Sequence, residues 1–453
     1  MTLLQKFGLF IESHNDTEFD HHLMHHARRA LLDWQGALLA GANSQAAGLL
    51  LSAHAEELTP HGPCSVAGTA LCASPRQAAF LNGTISHVAE FDDIYRDGAY
   101  HPASPTISSV FALAQARQST LGDLLRAIII GYEVSARISK AVQPSHYAFF
   151  HTTGTVGVFG AAAACAALLR LSAAESSHAM AIAGTFASGL QEAFRSDSMT
   201  KPMHAGHAAE VGLNAALCAQ AGMTGAPNLL EGAAGFGAAM SKGPKWEQML
   251  DGLSRDFSIE HITFKNHGCC GHLFASIDGV AHLMEEHVFD VADIQKIRIG
   301  AYKQTLEVCA YKHPKTPFEA KFSVTYTVAA RVILKRVREE AFMPTHFARS
   351  DIHELEDKIE LRLDEECARH FPLRRSAVVE IHLKDGRVLT RYQMTRHGDP
   401  DDPLTDSELS DKFHELVNPR TGVDQARCMA QLIFGDPCTL VTELTPHWKL
   451  LAN

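Results

Sequence analysis

Four stretches of the chain set ionisable side chains in surroundings too apolar, or too rich in glycine and proline, to need them for solubility. The first, EFDDIYRDGAYHPASP (90–105), holds Glu90, Asp92, Asp93 and Asp97 and then His101 directly before Pro102. A residue that precedes proline is pushed out of the helical region, so His101 is expected on an extended loop. Imidazole titrates near neutral pH and an adjacent carboxylate fixes its tautomer, which makes a general acid or base of this loop; the plainer reading is a solvated acidic loop.

The second stretch, HTTGTVGVFGAAAACAALLRL (151–171), opens with His151 just before an Ala- and Gly-rich helix that has few side chains of its own for chemistry. The third, TKPMHAGHAAE (200–210), places Lys201 and His204 just before another helix. Helix N-termini present N–H groups and partial positive charge, so an anionic substrate is the first expectation. Lys201 is suited to hold a carboxylate through a charge-assisted bond of roughly 1.5–3 kcal/mol. The competing readings are a capping histidine and a surface lysine.

The fourth stretch, KNHGCCGHLFASID (265–278), carries Lys265 and His272 beside Cys269 and Cys270, with Gly268 and Gly271 as a hinge. A zinc site is disfavoured because no second pair of soft ligands stands at a closing distance and adjacent cysteines rarely share one ion. His21, His22, His25 and His26 form two i,i+4 pairs, and His204, His207 and Glu210 follow at three-residue spacing. Neither group has the intervening glutamate of a metalloprotease helix or a distal ligand that can be named, so solvated helix faces are expected and no metal. A dinucleotide cradle and a serine nucleophile are equally unsupported, since LLEGAAGFG follows no strand and no G-x-S-x-G occurs.

The elements that must position these residues fall into two textures. From Phe19 to about Met240 apolar residues recur at helical spacing, with start signals at Thr120/Asp123 and Ser172/Glu175. After about Lys265 come alternating runs: KIRIGAYKQ (296–304), IELRL (359–363), and AVVEIHLKDGRVLTRYQM with a hairpin turn at Asp385-Gly386. A helix is expected over Ser323 to Val337, and Thr405 with Glu408 restarts helical texture that returns to the first domain. The fold class is therefore mainly α with a smaller α+β domain. At 453 residues two domains are expected. A formal charge of −11 argues against a nucleic-acid partner. The longest uncharged apolar run, Val156 to Leu169, is too short for a membrane span of about 20 residues. Scattered cysteines and an N-terminus without a signal-peptide layout point to a reducing cytoplasm.

Read in order, SHVAEFDD with YHPASP, GYEVSARI, the HTTGTVGVFG segment, ASGLQEAF, TKPMHAGHAAEVG, LLEGAAGFG, KNHGCCGHLFASID and PFEAKFS resemble the MmgE/PrpD family over nearly the whole chain. That family includes 2-methylcitrate dehydratase, cis-aconitate decarboxylase and iminodisuccinate epimerase. The resemblance implies an all-helical domain (1–264 and 398–453), an α+β lid domain (265–397) containing an antiparallel sheet, a cleft between them and a homodimer. It implies cofactor-free proton transfer at a carbon α to a carboxylate of a small di- or tricarboxylate. It places catalytic residues at His101, His151, Lys201 and Lys265, with Glu90 and Asp93 in the acidic loop, and substrate contacts at Lys201, Lys265, His204 and His272. Relative to the decarboxylase pattern, Glu90 stands for an Asp, Ile94 for a Thr and Cys270 for a His. A lyase of the 2-methylcitrate dehydratase type is the first expectation. A dicarboxylate epimerase, a decarboxylase and a non-catalytic carboxylate-binding dimer are the alternatives.

Overall fold

Helix starts follow local chemistry. In a computed structural model that describes residues 1–194, 198–448 and 450–451, Ser172 and Glu175 cap the Ala173–Thr185 helix reciprocally, and Thr405 and Glu408 do the same for Asp406–Thr421. At Thr120 only half of that exchange forms: its hydroxyl accepts the Asp123 N–H, while the Asp123 carboxylate turns back to the hydroxyl at 2.8 Å. Residues 195–197, 449 and 452–453, which include the end of the 398–453 segment, lie outside the described residues.

The chain divides into two units, Met1–Thr263 joined by the chain from Thr405 on, and Phe264–Leu404. Among the described residues, the named strands of the first unit are a two-residue ladder, β1 (Cys64–Ser65) with β2 (Cys72–Ala73), that the sequence reading did not include, and its other elements are helical. Its centre is the Gly157–Leu168 helix, whose first eleven residues are all buried. Small residues set how closely its helices cross. A Cβ on Gly83 of the Pro75–Val88 helix would lie 2.9 Å from the Cα of Gly206 in the Thr200–Gln220 helix, so these two backbones touch. That crossing lies four residues from His87 and two from His204, and it brings the two helix ends together.

The C-terminal Asp406–Thr421 helix packs on His21–Ala42 of the same unit. Its buried Lys412 ammonium donates to Asp33 Oδ1 at 2.6 Å and to the Phe91 carbonyl at 2.8 Å, fixing the acidic loop from below.

The second unit carries a four-stranded sheet in the order β4-β3-β5-β6: β3 (Ile294–Ala301), β4 (Ile359–Leu363), β5 (Ala377–Leu383) and β6 (Val388–Gln393). The β5–β6 hairpin turns at Asp385-Gly386, with Gly386 at φ 91°. The sheet expected to be antiparallel is mixed, because β3 and β4 pair in parallel. The reason is the long connection between them, which includes the Val324–Leu334 helix; parallel neighbours need such a crossover, whereas a tight turn forces antiparallel pairing. Burial alternates along β5, and its inward face, Val379 and Ile381, joins Ile297, Ile299, Phe274 and Ile277 in the unit's core. No helix among the described residues is long and apolar enough to cross a membrane.

Candidate active site in the helical unit

The site begins where the Pro75–Val88 helix ends. Glu90, two residues past that end, adopts φ 58°, the left-handed region that usually takes glycine and that costs a side-chain-bearing residue on the order of 1–3 kcal/mol. This turn sends the chain back on itself, so that Asp92 faces His87 of the preceding helix. Glu90 itself forms a buried ion pair with Lys201, the two side chains being 8 % and 3 % exposed.

Asp92 gathers three partners. His87 Nδ1 lies 2.6 Å from its Oδ2, the Ser104 hydroxyl donates to the same oxygen at 3.0 Å, and His101 Nδ1 stands 3.5 Å away. His87 stacks on His151 at 5.4 Å between ring centres and meets His101 edge to face at 5.0 Å. His151 Nδ1 is 3.0 Å from His204 Nδ1. Four imidazoles and one carboxylate thus form a continuous chain.

Local sequence explains why they converge. In HTTGT, the Thr153 hydroxyl oxygen accepts the His101 N–H at 3.3 Å, and Thr155 faces His146 Nε2 at 2.7 Å. Gly154 leaves room for His204, because a Cβ there would stand 2.9 Å from the His204 Cβ. The His151 N–H donates to the Gly189 carbonyl at 3.0 Å. His204 lines a pocket of about 450 Å³ with Ser188, Gly189, Leu190 and Thr200.

The electrostatics favour neutral imidazoles. Burial pushes His151 well below the ordinary histidine pKa, and the nearby His87, Lys201, His204 and His101 push the same way. His204 is lowered to about 4 by burial, then by His87 and Lys201. A neutral imidazole beside a buried ammonium can accept a proton from carbon at neutral pH while the ammonium holds the adjacent carboxylate.

Of the residues singled out from sequence, Glu90, His101, His151, Lys201 and His204 come together in this unit. Lys201 and His204, expected ahead of a helix, lie inside Thr200–Gln220, in its first and second turns. Asp93 turns the other way: its carboxylate accepts the Ala103 N–H at 3.0 Å and the Tyr132 hydroxyl at 2.8 Å. It thereby caps the Ala103–Arg117 helix, and burial, followed by the Asp33 charge, raises its pKa well above the usual carboxylate range.

Sequence reasoning missed His87 and Asp92 as site residues. Both stood in SHVAEFDD, five residues apart, a spacing that looks inert until the left-handed turn at Glu90 folds it back.

Lys265 and His272 belong to the second unit. Lys265 is buried there, and its charge is felt by the Cys269 thiol, which burial holds well above its ordinary pKa. The Gly268 N–H donates to the Val337 carbonyl at 3.0 Å. His272 Nδ1 lies 2.7 Å from the Tyr302 hydroxyl, immediately after β3, and burial with Arg375 and Arg396 depresses its pKa strongly. Tyr302, inside the KIRIGAYKQ run, is a third residue that the sequence reading did not assign to a site. Among the described residues Cys269, Cys270 and His272 do not form a three-ligand group.

Fold and site together define a mainly helical two-unit protein with a buried histidine–carboxylate centre and a lysine–glutamate pair beside it. The chain belongs to the MmgE/PrpD family: the MmgE/PrpD N-terminal domain matches residues 5–249 and the C-terminal domain residues 267–433. It is 28 % identical to the cis-aconitate decarboxylase of Homo sapiens over 386 residues, covering 82 % of this chain and 79 % of that protein. Two further relatives are a cis-aconitate decarboxylase-like protein of Aspergillus oryzae, 26 % identical with 80 % of each chain covered, and the cis-aconitate decarboxylase of Mus musculus, 28 % identical with 75 % and 71 % covered.

Proposed function

We propose that this protein is a lyase that moves a proton on a carbon next to a carboxylate of a small di- or tricarboxylate. The observation that carries the reading is the neutral His151–His204 pair held beside the buried Lys201–Glu90 ion pair. Lys201, oriented by Glu90, binds a substrate carboxylate and stabilises the charge that builds on it as the carbon–hydrogen bond breaks or forms. His151 exchanges the proton, with His204 fixing its tautomer. His101, backed by Asp92, serves the opposite transfer: protonation of a leaving hydroxyl in dehydration, or of the carbanion left when CO2 departs. Lys265 is a second carboxylate ligand, and His272, supported by Tyr302, is a further substrate contact.

The relatives' names favour decarboxylation of a cis-aconitate-like substrate. Glu90, Ile94 and Cys270, where the decarboxylase pattern has Asp, Thr and His, favour the dehydratase chemistry as the second reading. Dehydration and epimerisation both begin by removing the α-carbon proton, whereas decarboxylation breaks the bond to CO2 first and then delivers a proton to the carbanion. The working form is a homodimer.

Incubation with cis-aconitate, citrate, 2-methylcitrate and iminodisuccinate in deuterated buffer, followed by NMR, tests this reading. Deuterium is expected at the carbon α to a carboxylate of at least one of them, with loss of CO2 or water identifying the lyase. Return of deuterated iminodisuccinate with the configuration at the exchanged carbon inverted would make it an epimerase. Binding with neither exchange nor product would make it a carboxylate-binding protein and overturn the catalytic assignment.

A further inference from the structure

The i,i+4 histidines at the start of the His21–Ala42 helix lacked a distal ligand in the sequence; the fold supplies one. Glu260, in the short turn Ser258–His261 far along the chain and in the same unit, brings its Oε1 to 3.0 Å from His22 Nδ1. The His26 ring meets the His22 ring edge to face at 4.7 Å. One ligand atom each from His22, His26 and Glu260 lies within 4.8 Å of the other two. The neighbouring His25 is turned to Asp406, at 2.9 Å, and takes no part.

From this geometry we propose that His22, His26 and Glu260 bind a borderline transition-metal dication of the Zn2+ or Ni2+ type, at a surface site separate from the histidine chain around His151. Two imidazoles and a carboxylate are the donor set that such ions prefer over Mg2+ or Ca2+. Ligand atoms about 2.0–2.2 Å from a tetrahedral ion sit roughly 3.4 Å apart, so the observed spacing closes by small side-chain rotations. Those rotations are open to His22, whose side chain is 67 % exposed. With three protein ligands the ion keeps a position for water. The bound ion joins the first turn of one helix to a segment distant in sequence, and it therefore stabilises the folded chain by mass action.

The untagged full-length protein, freed of metal with a chelator and dialysed, is titrated with ZnCl2, with MgCl2 as the control ion. One equivalent of Zn2+ is expected to bind and to raise Tm, with no response to Mg2+. Glu260→Gln and His22→Gln are each expected to weaken Zn2+ binding at least tenfold and to abolish the Tm rise. Both replace side chains at the surface and leave the unliganded Tm as a check on folding. His101→Gln, in the buried chain, is expected to leave Zn2+ binding unchanged. The proposal is overturned if no stoichiometric Zn2+ binds, if both surface variants bind as the parent does, or if His101→Gln is the variant that loses the ion.

Discussion

His151 and His204 face each other through Nδ1 at 3.0 Å, so only one of the two nitrogens carries a proton and at least one ring is neutral. This pairing separates the roles of the two residues. His151→Gln is expected to lower kcat by a factor on the order of 10²–10⁴, the scale of a lost acid or base, with KM little changed. His204→Asn, which keeps a hydrogen-bonding group near that position, is expected to lose less. Unchanged turnover in His151→Gln would remove His151 from the chemistry.

Asp92 and Asp93 are adjacent in sequence but engaged on different sides of the chain. Asp92→Asn is expected to lower kcat at least tenfold, because His87 and His101 lose the carboxylate that orients them. Asp93→Asn keeps an acceptor for the Ala103 N–H and is expected to stay within about tenfold of the parent activity. The reverse order of effects, read from steady-state kinetics, would make Asp93 rather than Asp92 the loop carboxylate that serves the site.

Lys201→Met strands the Glu90 carboxylate in a buried setting, a change that typically costs about 3–5 kcal/mol. Its Tm is expected to fall and its KM to rise. Adding Glu90→Gln is expected to recover much of the Tm while KM stays high, which separates the fold's need for the pair from the substrate's need for the ammonium. Lys265→Met is expected to raise KM chiefly. A Lys201→Met protein with the parent KM would contradict the anchoring role.

Acid should weaken the fold before the carboxylates titrate. His26, His146 and His204 are held at about 4, and His151 well below its ordinary value, chiefly by burial. Between the ordinary pKa near 6.5 and these lowered values the unfolded chain binds more protons than the folded one. Stability is therefore full above pH 6.5 and is lost as pH falls toward 4. His272 is depressed in the same way, while Asp93 and His207, both raised, work against this loss, so that two groups stand against five. Urea unfolding at pH 7.5, 6 and 5 is expected to show a falling midpoint at constant slope; a flat or rising midpoint would contradict neutral buried histidines.

Activity is expected to survive removal of metal. Lys201 and the histidine chain can themselves supply the positive charge and the proton transfers the proposed chemistry requires. Enzyme treated with a strong chelator should retain its kcat, even where Zn2+ at His22, His26 and Glu260 is lost with a drop in Tm. Loss of activity restored by one added metal would assign catalysis to an ion, with the buried His87, Asp92 and His101 group as its place.

Periodicity and local chemistry alone determined much of this protein: the helical first half, the capping pairs at Ser172 and Thr405, and the hairpin at Asp385-Gly386. These are signals carried within a few residues, where spacing and side-chain type dictate backbone conformation. Tertiary structure decided which ionisable groups meet. Asp92 and Asp93 are equivalent in sequence, and only the left-handed turn at Glu90 sends one to His87 and the other to Tyr132. Glu260 has no local mark of a ligand until it is brought to His22. The parallel pairing of β3 and β4 likewise depends on a long crossover rather than on either strand's own residues. Close approach through glycines such as Gly83 and Gly154 is a property of two segments at once, and no single stretch of sequence contains it.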